Sequence, residues 1–148
     1  MFAGVFYLSP ADYHSFHSSS AFSVQKAEYV HGDCWPVNDT FMPKIGGLLA
    51  KNERVVLSGT YEYDGKQYGM WYVPVAALNV GGIKLGSLDL ARGSSVQTNG
   101  LHYAAGAEIG HFEFGSTVVL VFEVPEGKKV RVAKEGPVRV GEEVFVVE

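Results

Sequence analysis

Three residue types in this chain stand where they could do chemistry. Gly115-Ser116-Thr117 sits at the head of the apolar run Val118–Phe122, within the stretch GAEIGHFEFGSTVVLVF. Glycine tolerates backbone angles that other residues avoid, so a following serine hydroxyl can approach the preceding carbonyl. Attack there converts the amide to an ester. Loss of the serine α-proton with elimination then leaves a dehydroalanine, which hydrolyses to a pyruvoyl group, so that the chain breaks at 115/116 and makes its own carbonyl. Each proton transfer needs a positioned base worth about 10² to 10⁴ in rate, and histidine has the suitable pKa. His14 and His17, two of only five histidines, are the bases on offer. A competing reading of Gly115-Ser116-Thr117 is an ordinary turn into a strand, the reading we give to Gly93-Ser94-Ser95. For the histidines the alternatives are plain hydrogen bonding at the surface, or a metal site completed by donors among His31, Cys34, His102 and His111. Their spacing is not that of a known zinc motif, and we assign no metal.

The elements that must position these residues read mostly as strands. Short apolar, β-branched stretches alternate with turn residues across 148 residues containing 18 glycines. Strands are expected at 2–8, 22–30, 54–63, 67–75, 101–105, 117–124, 129–133 and 143–147. Asp64-Gly65 between two of them is a hairpin signal. Pro125-Glu126-Gly127 and Glu135-Gly136-Pro137 punctuate a C-terminal meander. Two segments invite a helix. One starts at Ser9 as N-cap with Pro10 and Asp12 behind it, and would set His14 and His17 on one face by their i, i+3 spacing. The other is 41–51, interrupted by Gly46-Gly47. The expected architecture is mainly β, a sandwich or partly closed barrel of short antiparallel strands with one or two short helices, in a single domain over 1–148. The His14/His17 helix would border Gly115 and Ser116.

Composition narrows the function. A 47% hydrophobic, 19% charged chain is globular. A net charge of −4 speaks against a partner made of nucleic acid. Cys34 is the only cysteine, which excludes an internal disulfide and suits a reducing compartment at least as well as a secreted one. The longest apolar run, Val118–Phe122, is far short of the roughly 20 residues of a spanning helix. The start Met1-Phe2-Ala3-Gly4-Val5 lacks the basic and apolar regions of a signal peptide, so secretion is not expected. Phe2, Phe6, Phe16 and Trp35 are candidates to face lipid or an upstream segment, though core packing is the commoner use of such residues.

The stretch Tyr7-Leu8-Ser9-Pro10, Asp12-Tyr13-His14 and His17 resembles the signature of the phosphatidylserine decarboxylase family, pyruvoyl-dependent enzymes that convert phosphatidylserine to phosphatidylethanolamine and CO2. Further blocks follow in the family's order: Tyr29-Val30 with Gly32-Asp33 and Val37-Asn38, Asn52-Glu53-Arg54-Val55, Asn79-Val80-Gly81, and Gly106, Glu108, Gly110, Phe112 with Gly115-Ser116-Thr117. The resemblance implies a carboxy-lyase that cuts itself between Gly115 and Ser116, giving a β chain of residues 1–115 and an α chain of residues 116–148. Ser116 would become the pyruvoyl cofactor, His17 would be the self-cleavage base, and His14 its partner in proton handling during decarboxylation. The substrate amine would form a Schiff base with that carbonyl, which then acts as the electron sink. Phosphatidylserine or a similar amino-acid headgroup, a membrane surface met peripherally, an upstream segment and a second copy in a homodimer are the implied partners.

This sequence departs from the family pattern at Ser15, where an arginine is usual, at Ser19, a usual proline, and at Ala76 and His31. It also lacks the upstream region whose aspartate orients the histidine, and Asp12 reads as a cap rather than a substitute. We therefore expect the catalytic core of a longer protein, with slow or absent processing. Two other functions compete: a pyruvoyl decarboxylase of a soluble amino acid, and a non-catalytic β-rich binding module. The tail GPVRVGEEVFVVE is similar to the closing hairpin of lipoyl-carrier-like barrels, without a convincing carrier lysine.

Overall fold

The computed structural model describes residues 1–38, 40–78, 82–113 and 115–148. Asn79-Val80-Gly81 therefore lies outside the described residues. Eleven strands and one helical turn are described: β1 (Phe2–Leu8), β2 (Ser15–His17), β3 (Phe22–Val30), α1 (Leu48–Lys51), β4 (Arg54–Tyr63), β5 (Lys66–Val75), β6 (Ile83–Leu85), β7 (Ser95–Tyr103), β8 (Glu108–Phe112), β9 (Ser116–Phe122), β10 (Val130–Val132) and β11 (Phe145–Val147).

They form three antiparallel sheets: six strands in the order β1-β9-β5-β4-β3-β7, three in the order β2-β8-β6, and the ribbon β10-β11. None closes into a barrel, and the arrangement is sandwich-like. Phe16 of β2 lies 6.0 Å from the Tyr72 ring of β5 and 4.8 Å from that of Phe112 in β8, joining the small sheet to the large one. Phe16, Phe22, Leu57, Ile109 and Leu120 share that core, and burying side chains of this size contributes about 1.5–3 kcal/mol each. The ribbon sets Phe145 against Phe2, Phe6 and Phe122. Residues beyond β9 thus make one two-stranded ribbon rather than a meander.

Local chemistry explains most of this. Asp64 and Gly65 take φ of 49° and 70°, the paired positive values of a type I′ turn, and β4 meets β5 with Tyr63 opposite Lys66. In β3 the inward residues run Phe22, Val24, then Ala27 and Tyr29. A bulge between Val24 and Lys26 inserts one residue and keeps both halves facing the core.

The helix expected at Ser9 is absent. Its capping chemistry is real but closes only a turn: the Ser9 N–H donates to Asp12 Oδ2 at 2.8 Å, and the Asp12 N–H donates to the Ser9 carbonyl at 2.9 Å. Beyond it, Ser15–His17 pairs with β8 and buries Phe16, so a tertiary ladder overrides the local preference. The i, i+3 face shared by His14 and His17 disappears with the helix. Of the segment 41–51, only Leu48–Lys51 is helical. Gly47, at φ 70°, stands in the left-handed region just before it.

Candidate functional site

Ser116 opens β9 and sits directly opposite Leu8, the last residue of β1. The chain leaving Leu8 folds through the Ser9–Asp12 turn, and the Pro10 ring lies over Gly115. A Cβ at 115 would stand 3.2 Å from Pro10 Cγ and 3.4 Å from the Leu8 carbonyl. The same chain then reaches His14, whose carbonyl accepts the Phe112 N–H at 3.0 Å. Residues 8–14 are thus tied at one end to Ser116 and at the other to Phe112, four residues before it. The Ser9–Asp12 turn, which ends two residues before His14, borders the Gly115–Ser116 bond.

The serine is shut away from solvent. Its exposure is 0%, and its Oγ has no hydrogen-bond partner among the described residues; the same holds for Thr117 Oγ1 and for the buried Nε2 of His14. Buried hydroxyls and imidazole nitrogens usually find partners, and leaving one unmet costs about 1–3 kcal/mol. Among the described residues these three atoms and the Tyr103 hydroxyl are the buried side-chain polar atoms left without a partner.

Main-chain carbonyls set both imidazoles. His14 Nδ1 lies 2.5 Å from the Asp12 carbonyl, and His17 Nδ1 lies 2.9 Å from the Gly106 carbonyl. A carbonyl only accepts, so Nδ1 carries the proton in each ring and Nε2 carries the lone pair. The Nε2 of His17 accepts from the Tyr13 hydroxyl at 2.9 Å, and the two rings stack with centroids 5.7 Å apart. The two histidines therefore differ: among the described residues the Nε2 of His14 has no partner and that of His17 has one. Asp12 serves as a turn cap through its carboxylate and orients His14 through its carbonyl.

A second polar cluster lies elsewhere. Glu53, 3% exposed, accepts from the Tyr29 hydroxyl at 2.7 Å and pairs with Arg92 at 3.3 Å. Burial, then the Glu53 hydrogen bond, pushes the Tyr29 phenol up, and burial beside Glu53 does the same to the Cys34 thiol. Buried Asn52 beside it bonds the Trp35 and Ala76 carbonyls. Two clefts of about 620 and 510 Å³ lie near this region, the first walled by Tyr29, Lys84, Leu88 and Arg92, the second by Cys34, Trp35, Phe41 and Leu78. Ser116, His14 and His17 line neither. Among the described residues no group of three His, Cys, Asp or Glu side chains is gathered for a metal.

The places of Tyr13 and the Gly106 carbonyl against His17 are not legible in the sequence. The i, i+4 spacing of Tyr13 to His17 offers a cue only in a helix, and a backbone acceptor 89 residues away leaves none. The Glu53–Arg92 pair was equally unmarked.

Fold and site together define a mainly β domain with a buried serine at the start of a strand and two histidines, each oriented by a main-chain carbonyl, on the segment that follows the partner strand of that serine. Comparison with known proteins gives this class a family. Residues 1–146 match the family model of phosphatidylserine decarboxylase. The chain is 36% identical to the mitochondrial phosphatidylserine decarboxylase proenzyme 1 of Schizosaccharomyces pombe, over 95% of this chain and 36% of that protein. It is 33% identical to the mitochondrial proenzyme of Caenorhabditis elegans, over 93% and 38%, and 35% identical to the proenzyme of Campylobacter jejuni, over 78% and 44%. The chain belongs to the phosphatidylserine decarboxylase family. It spans less than half the length of these relatives.

Proposed function

We propose that this chain is the core of a pyruvoyl-dependent phosphatidylserine decarboxylase that processes itself at Gly115–Ser116. The observation carrying the proposal is the Ser116 hydroxyl: fully buried, unpartnered among the described residues, next to a glycine and bordered by Leu8 and the Ser9–Asp12 turn. A serine serving only as the first residue of a strand has no use for such a placement, whereas a nucleophile that attacks its own chain needs no opening to solvent. The proenzyme naming of the relatives supports the same reading.

In this mechanism His17 takes the proton of the Ser116 hydroxyl as the oxygen attacks the Gly115 carbonyl. The Gly106 carbonyl supplies the tautomer control that a carboxylate gives in a serine–histidine triad. A pyruvoyl group fits residue 116, because the orphaned hydroxyl is the atom its formation consumes. When formed, that group supplies an electron-withdrawing carbonyl for decarboxylation of an amino acid. His14, whose buried Nε2 has no partner among the described residues, holds or returns the proton at the substrate's α-carbon. Leu8 and Pro10 cover the position and exclude water.

The substrate is an amino-acid headgroup presented by phosphatidylserine at a membrane surface that the domain meets peripherally. No helix among the described residues is long and apolar enough to cross a membrane. Intact-mass measurement tests the processing. Two fragments, residues 1–115 and 116–148 with a keto-blocked start, support it, and a chain that stays whole under all conditions overturns it. Release of CO2 from phosphatidylserine vesicles, compared with free serine, then tests the substrate.

A further inference from the structure

We propose that Tyr13 is a positioning residue for self-processing: its hydroxyl latches His17 in a standby state by occupying the nitrogen that must act as base. This rests on the reading of Gly115–Ser116 as a self-cleaved bond. The geometry is specific. His17 has two ring nitrogens, and both are engaged. Nδ1–H donates to the Gly106 carbonyl at 2.9 Å, so the only lone pair is on Nε2, and Tyr13 O–H donates to it at 2.9 Å. The phenol also stacks on the imidazole, with ring centroids 5.7 Å apart and planes inclined by 21°. Residue 13 is 57% exposed, so little core packing holds the phenol there. It stays on His17 through that bond and the stacking.

A base whose lone pair is already accepting a hydrogen bond cannot take a proton from Ser116. Processing therefore begins when the Tyr13 hydroxyl swings off Nε2. The freed nitrogen accepts the Ser116 hydroxyl proton while Oγ bonds to the Gly115 carbonyl carbon. The Gly115–Ser116 C–N bond then breaks, and the imidazolium returns the proton to the departing amine. This shift of the acyl group from nitrogen to oxygen balances with no other reactant; loss of the residue-116 α-proton then eliminates the Gly115 carboxylate, and one water hydrolyses the remaining dehydroalanine to the keto end with release of ammonia. The Ser9–Asp12 turn that precedes Tyr13 closes on itself through two hydrogen bonds, so the phenol can leave without unravelling the cover over Gly115. A neutral hydrogen bond of this kind biases an equilibrium by about two- to tenfold.

Tyr13→Phe removes the hydroxyl and keeps the stacked ring. We expect the full chain carrying it to be processed about two- to tenfold faster than the parent, as read by intact mass over time, with an unchanged melting temperature. In the uncleavable Ser116→Ala background, 15N resonances of the His17 ring should show an Nδ1-protonated tautomer both with Tyr13 in place and with the Tyr13→Phe substitution added. The Nε2 resonance should move downfield when the donor is lost. Equal rates in the parent and Tyr13→Phe, or a slower Tyr13→Phe chain with its tautomer intact, would overturn the latch; the slower result would make the phenol a proton relay instead. Absence of cleavage in both chains would instead sink the proposed function, a distinct outcome that removes the latch's purpose as well.

Discussion

The ring of Pro10 rests on Gly115, close enough that a Cβ there would lie 3.2 Å from its Cγ. The turn over the Gly115–Ser116 bond and the residue before that bond are therefore fitted to each other. Gly115→Ala pushes the turn outward by a few tenths of an ångström. The fold should lose about 1 to 3 kcal/mol, seen as a drop in melting temperature. Processing, which depends on attack geometry, should slow by about ten- to a hundredfold in a mass-spectrometric time course.

Ser116→Ala should stop processing completely and leave the domain as stable as before or more so. Its hydroxyl is buried without a partner among the described residues, so deleting it relieves a desolvated group; a gain of up to about 1 kcal/mol is expected in urea unfolding. Thr117→Val, which exchanges an equally unpartnered hydroxyl for a methyl, should be stabilising by a similar amount. A large loss of stability in either would mean that these hydroxyls are structural.

Cleavage should not separate the pieces. β9 is hydrogen-bonded to β1 on one side and β5 on the other, so residues 116–148 stay clamped by two ladders after the 115–116 bond is broken. The processed protein should elute from gel filtration at the position of the whole chain. The two fragments should part only in denaturant.

Alkaline pH should destabilise the domain through its buried phenols. Burial raises the pKa of Tyr72, and burial with the Glu53 hydrogen bond raises that of Tyr29. In the unfolded chain these groups ionise near pH 10, before they do in the folded one. The stability they contribute is whole below that value and drains away as pH rises through the folded pKa values. Urea midpoints measured from about pH 9 to about pH 11.5 should fall, and Tyr72→Phe should make the fall shallower.

The long strands, β7 excepted, were legible because their residues declare them; β7 runs Ser95–Tyr103 where 101–105 was expected, since its polar first half SVQTNG shows no apolar alternation. β1, β3 and β4 are alternating or near-continuous apolar runs bounded by turn residues, and the expected limits 2–8, 22–30 and 54–63 coincide with the observed ones. Asp64-Gly65 announced its turn in the same way. The small sheet was not legible. β2 and β6 are three residues long, and β8 spaces Ile109 and Phe112 around Gly110 and His111, too short and too interrupted for a period to emerge. These strands exist because they pair with one another over Phe16, a long-range effect that also turned the expected helix into a turn and a strand. Ser116 and the histidine couplet stood out by residue type and order. The carbonyls of Asp12 and Gly106 that orient the imidazoles belong to the backbone, and no side chain advertises them.

Leu8 faces Ser116 across the first rung of a ladder, with β5 on the far side of the same strand. The carbonyl proposed to form at that rung would have no tether and no swing: unlike a lipoyl or biotinyl arm that visits distant partners, it would be mortared into the wall. Any amine it served would have to be delivered to it, so the proposed catalysis would be gated by the arrival of a substrate head and not by the travel of a prosthetic group.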